Sequence, residues 1–317
     1  MKQITLIGIF LFMCMAQASF GTATTHSGYH IHLKFTNVKD STIFLVHYYG
    51  KGLPTIYKRD SARIDKSGKA EFNSTDSEFV GGIYMMLLSD HKTNFEFMLN
   101  SGDDFSITAT IPDTSHPQEP IKLKYKNSDE NERFQKYVEF LKDYSAGQQK
   151  LLKELAEAKN ADDTAAVRKK GSATAKDLTN YRRNYIKQYP GTLLSSIFSA
   201  LEVPEVPEGE HLLEDGKTKD STFAYRYYKS HFWDGFNFQD ERLIHTPILD
   251  AKLEEYFSKM VLPWPDSVEH EADIILHKAK GTKDIFKYNL WWITRYVENS
   301  KVMEWMKPLS ILLRTTT

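Results

Sequence analysis

The spacing of apolar residues changes abruptly near residue 127, and this change constrains the fold more than any other feature of the sequence. Before it, over residues 29–125, apolar and polar residues alternate in short runs interrupted by Gly, Asp and Asn, which is typical of β-strands. After it, apolar residues recur with the period of an amphipathic helix. The sequence therefore predicts an α+β protein, with an N-terminal antiparallel β-sandwich over residues 19–126 followed by an all-helical domain over residues 127–303.

Individual elements can be predicted from the same patterns. Ser128 is expected to cap the first helix, and Thr246-Pro247 to begin a later one. Residues 161–164 are expected to form a turn between the first two helices, in which Asp162 or Asp163 can act as a cap. Strands are expected at 29–35, 41–49, 60–65, 70–72, 82–88, 94–99 and 105–110. Helices are expected at 128–155, 170–189, 222–234, 249–260, 269–279 and 284–299.

The N-terminus has the pattern of an export signal. A Lys2 start, an apolar run over residues 4–15 and a small-x-small site ending at Ala18 predict a signal peptide over residues 1–18 and a periplasmic protein. The alternative is an outer-membrane lipoprotein acylated at Cys14, and membrane association is expected only in that case. We favour cleavage after Ala18, because the residues before Cys14 lack the small side chain usual ahead of a lipidated cysteine.

Composition excludes several functional classes. Cys14 is the only cysteine, so the mature chain is expected to have no disulfide, thiolate nucleophile or cysteine metal site. A formal net charge of -1 offers no basic excess for nucleic acid. The glycine, serine and histidine motifs of hydrolases, P-loop proteins, zinc proteases and dinucleotide-binding proteins are absent from the sequence, so no cofactor is predicted.

One stretch concentrates groups capable of acid–base or metal chemistry. Its candidates are His231, Asp234, Asp240, Arg242 and His245. Each also has a structural explanation: Asp234 precedes a glycine and can form a turn, and Asp240 can pair with Arg242. We interpret the cluster as structural and keep a hydrolase as the alternative.

Two other patterns bear on binding. His30 and His32 lie two apart in a predicted strand, so both face one side and could chelate a metal. The sequence identifies no third ligand, so we interpret them as surface histidines and predict no metal site. Trp291 and Trp292 could stack on sugars, but neighbours on a helix face different directions, so one of them is expected in the core.

Several segments together resemble a family of Gram-negative envelope proteins. DSARIDKSGKAEF, GGIYMMLL, FEFML and DDFSITATI resemble its N-terminal β domain. NSDENERFQKY resembles the entry into its helices, and YRYYKSHFWDGFNFQDERLIHTPIL, LPWPDSV and YVENSKVM resemble its helical middle domain. In that family both regions have no assigned function and usually precede a thioredoxin-like domain of the TlpA/ResA type.

That thioredoxin-like domain carries a Cys-x-x-Cys pair that performs thiol–disulfide exchange. No such pair occurs here, so the resemblance implies no redox activity for these residues. It implies a non-catalytic exported module that binds or positions a protein or peptide partner, or a substrate, for an oxidoreductase domain. A stand-alone glycan- or peptide-binding envelope protein and a hydrolase using the His231–His245 stretch are the alternatives.

The resemblance ends at Met303. Adding one G after the Met303 codon changes the following codons to Gly, Met or Val, Asp and Glu, which fits the family better than the residues present. We therefore interpret residues 304–317 as an out-of-frame tail created by a single-base deletion, with a genuine short tail as the alternative.

Overall fold

The computed structural model describes residues 28–38, 41–113 and 119–299. The predicted signal peptide with Cys14 and the predicted out-of-frame tail lie outside these described residues.

The first part of the described chain forms two four-stranded sheets. The strands are β1 (Tyr29–Thr36), β2 (Thr42–His47), β3 (Tyr57–Arg63), β4 (Lys69–Ser74), β5 (Gly82–Leu88), β6 (Asn94–Leu99), β7 (Asp103–Thr110) and β8 (Lys122–Lys126). Sheet A has the order β4-β1-β7-β8 and sheet B the order β3-β2-β5-β6. Both sheets contribute one face to a common core, which confirms the predicted sandwich.

One strand pair departs from the predicted antiparallel arrangement. β1 pairs with β7 in parallel, with Tyr29 opposite Asp103 and Thr36 opposite Thr110. The other pairs are antiparallel. A parallel pair joins strands that are far apart in the chain, because it needs a long crossover connection. Local sequence patterns do not reveal which distant strand is the neighbour.

Strand β5 is buried at every position, whereas β1 alternates between buried and more exposed residues. Tyr84, Met86 and Leu88 of β5 face the core between the sheets. Ile83, Met85 and Leu87 face the other way, into a second core shared with the helices. The apolar run GIYMMLL is therefore explained by burial on both faces.

The second part of the chain is helical, as predicted. The helices are α1 (Asp129–Glu157), α2 (Ala161–Gln188), α3 (Leu193–Ala200), α4 (Phe223–His231), α5 (Leu249–Lys259), α6 (Pro265–Lys278) and α7 (Asp284–Glu298), with a 3-10 helix at Glu241–His245. Apolar side chains from these helices pack on the outer face of sheet B. The outward-facing residues of β1 in sheet A are half-buried or exposed, and α1 also contacts β8 at the edge of that sheet.

Several predicted helix starts were wrong. α2 begins at Ala161 and is capped by Asn160, whose side chain accepts a hydrogen bond from Asp163 N, so the predicted turn is already helix. α6 begins four residues before its predicted start, with Pro265 in its first turn. Thr246 does not begin a helix, because its hydroxyl donates to Leu243 O (2.6 Å) and α5 starts at Leu249.

The start of α1 is fastened to the free edge of sheet B. Ser128 precedes the helix but does not cap it. The buried Asn131 side chain instead accepts from Met98 N (2.7 Å) and donates to Met98 O (2.8 Å). Glu130 accepts from Leu194 N at the start of α3 (2.9 Å) and from Asn100 Nδ2 (3.1 Å). The edge strand β6 is thereby covered by side chains instead of another strand.

Candidate functional site

A cleft of about 720 Å³ opens where the end of strand β2 meets helix α7. This volume lies within the range of ordinary ligand sites, which often form where two parts of a chain meet. The lining residues come from both parts of the protein: His47, Tyr49, Lys51, Thr55, Tyr57, Lys287, Tyr288, Trp291 and Arg295. Four aromatic rings and three cationic side chains dominate this lining.

The sandwich wall is built by the chain leaving β2. His47 and Tyr49 are two apart in extended chain, so both face the cleft, while Tyr48 between them is buried. Gly50 then adopts a φ of 71°, which a side chain would disfavour. A Cβ there would lie 2.4 Å from the Tyr288 ring, so this close contact between sandwich and α7 requires glycine.

The helical wall is one face of α7. Tyr288, Trp291 and Arg295 are three or four residues apart and therefore share that face. The Arg295 guanidinium lies 5.5 Å from the Trp291 ring, and the Trp291 and Tyr288 ring centroids are 5.3 Å apart. Trp291 remains 47% exposed, whereas Trp292 is buried, as expected for neighbours on a helix.

Two tyrosine hydroxyls hold the walls in place: Tyr49 joins the sandwich wall to α7, and Tyr288 joins α7 to α5. Tyr49 donates to Asp284 Oδ1 (3.0 Å), and Tyr288 donates to Asp250 Oδ1 (2.8 Å). Burial, reinforced by these carboxylates, raises the pKa of both tyrosines. Both hydroxyls therefore stay protonated at physiological pH and act as donors, which holds the rings in place.

A pair of histidines lies at the floor of the cleft, where His47 lines the cavity and His245 packs against His47 from beneath. The His47 and His245 ring centroids are 4.4 Å apart. Burial lowers the pKa of His47, and it lowers the pKa of His245 to about 4 with a further contribution from His47. His245 Nδ1 faces the carbonyl oxygens of Val80 and Gly81, both at 3.2 Å, so Nδ1 carries the proton and donates. The floor is therefore uncharged at neutral pH.

The charge of the cleft is positive. Among its described lining residues, Lys51, Lys287 and Arg295 are cationic and none is a carboxylate. The groove continues past Lys51 and Arg295 into a second cavity of about 340 Å³, where Asp250 and Glu254 supply negative charge. Because Lys51 and Arg295 line both cavities, the two carboxylates balance them in the second cavity, and the net positive charge lies in the first.

The structure separates the sequence-predicted candidates. Of these only His245 lies beside the cleft. Asp240 holds Arg242 through both carboxylate oxygens, at 2.8 and 2.7 Å, and Arg242 also donates to Ser196 Oγ (3.3 Å). The hydrogen bonds from Arg242 keep the pKa of Asp240 below its usual range despite burial. This pair therefore joins the 3-10 helix to α3.

The other two candidates have local partners. His231 ends α4, where its Nδ1 lies 2.8 Å from Tyr227 O and its ring stacks on Tyr227 with centroids 4.0 Å apart. Asp234 is exposed and its backbone N–H donates to His231 O, so it lies in the turn after α4. Neither residue lines the aromatic cleft.

Sequence reasoning missed most of the cleft. His47, Tyr49 and Tyr57 lie on the sandwich, and Lys287 and Arg295 on α7. Two signals were available: HYYG closes the second strand with aromatic residues before a glycine, and Trp291 and Arg295 share a helix face at four-residue spacing. Nothing in the sequence shows that these two segments meet.

Comparison with known proteins adds one assignment. Residues 165–306 carry a DUF5106 domain, a domain of unknown function. The DUF5106 region begins within α2 and supplies the α7 wall of the cleft, while the sandwich wall comes from outside it. No curated protein matches the chain.

Solved structures give no functional guide. Eighty-one chains of solved structures match this protein. One is the crystal structure of (S)-allantoin synthase, with 8% identity and a TM-score of 0.24. The alignment covers 32% of this chain and 45% of that one, so this chain spans less than half of that structure.

Within the described residues, none of the helices combines the length and apolar character needed to cross a membrane.

Proposed function

We propose that this chain is a non-catalytic exported binding module whose aromatic cleft holds an extended peptide segment of a partner protein. The observation that carries this proposal is the cleft between β2 and α7, with its rings, its cations and the second cavity that adjoins it at Lys51 and Arg295. Rigid aromatic side chains supply large contact area at little cost in conformational entropy. A peptide with an apolar side chain next to an acidic group would use both the rings and the cations of the first cavity.

The partner follows from the sequence resemblance. Relatives of TlpA/ResA-type oxidoreductases place a Cys-x-x-Cys domain after regions like these. The peptide held in the cleft would then be part of a protein that such a domain oxidises or reduces in the periplasm. The Cys-x-x-Cys chemistry belongs to that domain, because the sequence here contains no such motif.

The test measures binding of unstructured peptides to the purified chain by fluorescence anisotropy, next to a panel of neutral glycans. Trp291→Ala and Tyr57→Ala should each weaken peptide binding at least about tenfold, because exposed aromatic residues in a pocket are typical binding hot spots. Arg295→Gln should weaken binding of acidic peptides more than that of neutral ones, with the difference shrinking at high salt.

Trp264→Ala provides the matched control. Trp264 is 65% exposed, more than Trp291, but lies at the start of α6 and does not line the cleft. Its substitution should leave the peptide affinity unchanged. Equal losses for Trp264 and Trp291 would show that the cleft is not the binding site, and binding of glycans but not peptides would replace the peptide proposal with the glycan alternative.

A further inference from the structure

The open face of sheet A carries a cluster of metal-ligating side chains on three adjacent strands. His30 and His32 occupy the inner strand β1. Asp104 of β7 is directly opposite His30, and Glu71 of β4 is directly opposite His32. Since residues two apart in a strand share a face, these four side chains all lie on the solvent side of the sheet.

The atoms are close enough to share one ion. His30 Nδ1 lies 3.8 Å from Asp104 Oδ2, and His32 Nε2 lies 3.6 Å from Asp104 Oδ1. One donor atom from each of His30, His32 and Asp104 falls within 4.8 Å of the others. Ligand bonds of about 2.0–2.2 Å arranged tetrahedrally put ligand atoms about 3.3–3.6 Å apart, so small side-chain rotations suffice. Among the residues that the structure describes, no other group of this kind occurs.

Glu71 completes the arrangement from the other side of the histidines. His30 Nε2 is hydrogen-bonded to Glu71 Oε1. An N–H must donate to a carboxylate, so Nε2 carries the proton and Nδ1 presents its lone pair toward Asp104. A carboxylate that fixes the tautomer of a ligating histidine in this way is a common feature of protein metal sites. This hydrogen bond also lowers the pKa of Glu71.

The neighbouring Lys34 does not place its ammonium group between His30, His32 and Asp104. Lys34, two residues further along β1, donates its ammonium to Ser67 O in the β3–β4 turn. His30 and His32 have ring centroids 4.0 Å apart, a close approach of two bases that a shared cation would stabilise.

We propose that His30 Nδ1, His32 Nε2 and Asp104 bind one Zn²⁺ ion on the open face of sheet A, with Glu71 orienting His30. Two imidazoles and one carboxylate suit a borderline divalent transition metal better than Mg²⁺ or Ca²⁺, which prefer all-oxygen sites. Three protein ligands on an exposed surface leave a fourth position for water or for a group from another molecule. The site is separate from the aromatic cleft, which lies at the end of β2.

The experiment is a calorimetric titration of Zn²⁺ into the purified chain without an affinity tag. The wild-type chain should bind one ion in a saturable step. His32→Asn and Asp104→Asn should abolish that step, and Glu71→Gln should weaken it by about 10–100-fold while leaving the stoichiometry unchanged. Mg²⁺ at the same concentration should not compete. Binding should weaken as the solution is acidified, because the ligating imidazoles must be neutral.

All of these side chains are on the surface, so the variants should fold, and circular dichroism spectra and thermal midpoints without metal verify this. Zn²⁺ should raise the thermal midpoint of the wild-type chain but not of His32→Asn. His270→Asn removes an exposed histidine of α6 outside the cluster and should bind Zn²⁺ as the wild type does. Equal affinity in wild type, His32→Asn and Asp104→Asn, or the absence of a saturable step in the wild type, would overturn the proposal.

Discussion

His245 is a buried histidine that stays neutral because its ring is enclosed between the sandwich and α7. Burial lowers its pKa from 6.5 to about 4, so between these values the unfolded chain binds a proton that the folded chain does not. The contribution of His245 to the free energy of unfolding is therefore fully present above about pH 6.5. It declines as the pH falls toward 4 and does not change further below that. The expected loss is about 3 kcal/mol, measured by urea unfolding across this range.

His245→Asn gives the comparison, because an asparagine amide can replace the Nδ1–H donor without titrating. Its unfolding free energy should vary less with pH than that of the wild type. Asp103 acts in the opposite sense: burial raises its pKa to about 6, so stability due to Asp103 falls as the pH rises through the same region. The difference between the two proteins isolates His245, and parallel pH profiles would contradict the assignment.

For single residues, the sequence predicted which face of an element a side chain lies on better than it predicted which residues that side chain contacts. It correctly placed His30 and His32 on one face of a strand, but it could not supply Asp104 or Glu71, since these lie on strands distant in the chain. The His231–His245 stretch shows the reverse. Closeness in sequence suggested one cluster, yet the Asp240–Arg242 pair faces α3 while His245 packs beneath the cleft.

Asn131 links two elements by acting as the missing neighbour of an edge strand. Asn131→Ala would leave both backbone groups of Met98 without their partner in a buried setting. Each such group costs about 1–3 kcal/mol, so we expect the free energy of unfolding to fall by about 2–4 kcal/mol in chemical denaturation. Asn131→Asp should also destabilise, because a carboxylate can accept from Met98 N but cannot donate to Met98 O.

Gln149→Ala on the exposed side of α1 is the matched control. It should change stability by less than about 0.5 kcal/mol, as surface substitutions usually do. A loss for Asn131→Ala as small as that for Gln149→Ala would show that α1 is held to the sheet by apolar packing alone.

Elements were predicted well where the pattern was long and regular. α1, α5 and α7 lie within two residues of their expected bounds. α3 was missed because LLSSIFSA is short, mostly buried and lacks the charged face that is the normal signal of a surface helix. The edge strand β8 was missed because alternating lysines leave it few apolar residues, which protects a free edge but hides the strand from pattern analysis. The other charged edge strand, β3, was predicted at 60–65 and begins three residues earlier, at Tyr57.

The protein as a whole should unfold in one transition, because the sandwich and the helices share the core on sheet B. No tryptophan precedes residue 127, and four of the five lie in the described helical part, so tryptophan fluorescence reports the helices. The infrared amide I band of β-structure reports the sandwich. Both signals should give the same midpoint in urea. Met85→Asp, a buried charge in the shared core, should lower both midpoints together.

Two separate midpoints, or a Met85→Asp variant that shifts only one signal, would show that the sandwich and the helical part unfold independently.

The α+β class and the change near residue 127 could be predicted because they depend on local periodicity. The packing of the helical core on the outer face of sheet B could not be predicted, although the uninterrupted apolar run of β5 was a sign that this sheet is covered on both sides.

Two glycine contacts between the sandwich and the helical part determine how a ligand can enter the cleft. Gly50 abuts the Tyr288 ring, and a Cβ on Gly82 would lie 2.2 Å from the Cβ of His245. At both contacts the sandwich and the helical part are separated by less than the space of a methyl group. The two walls of the cleft therefore have no room to slide past each other or to close around a ligand. A ligand meets a preformed site, so its shape on first contact decides whether it binds, and no closing movement selects it.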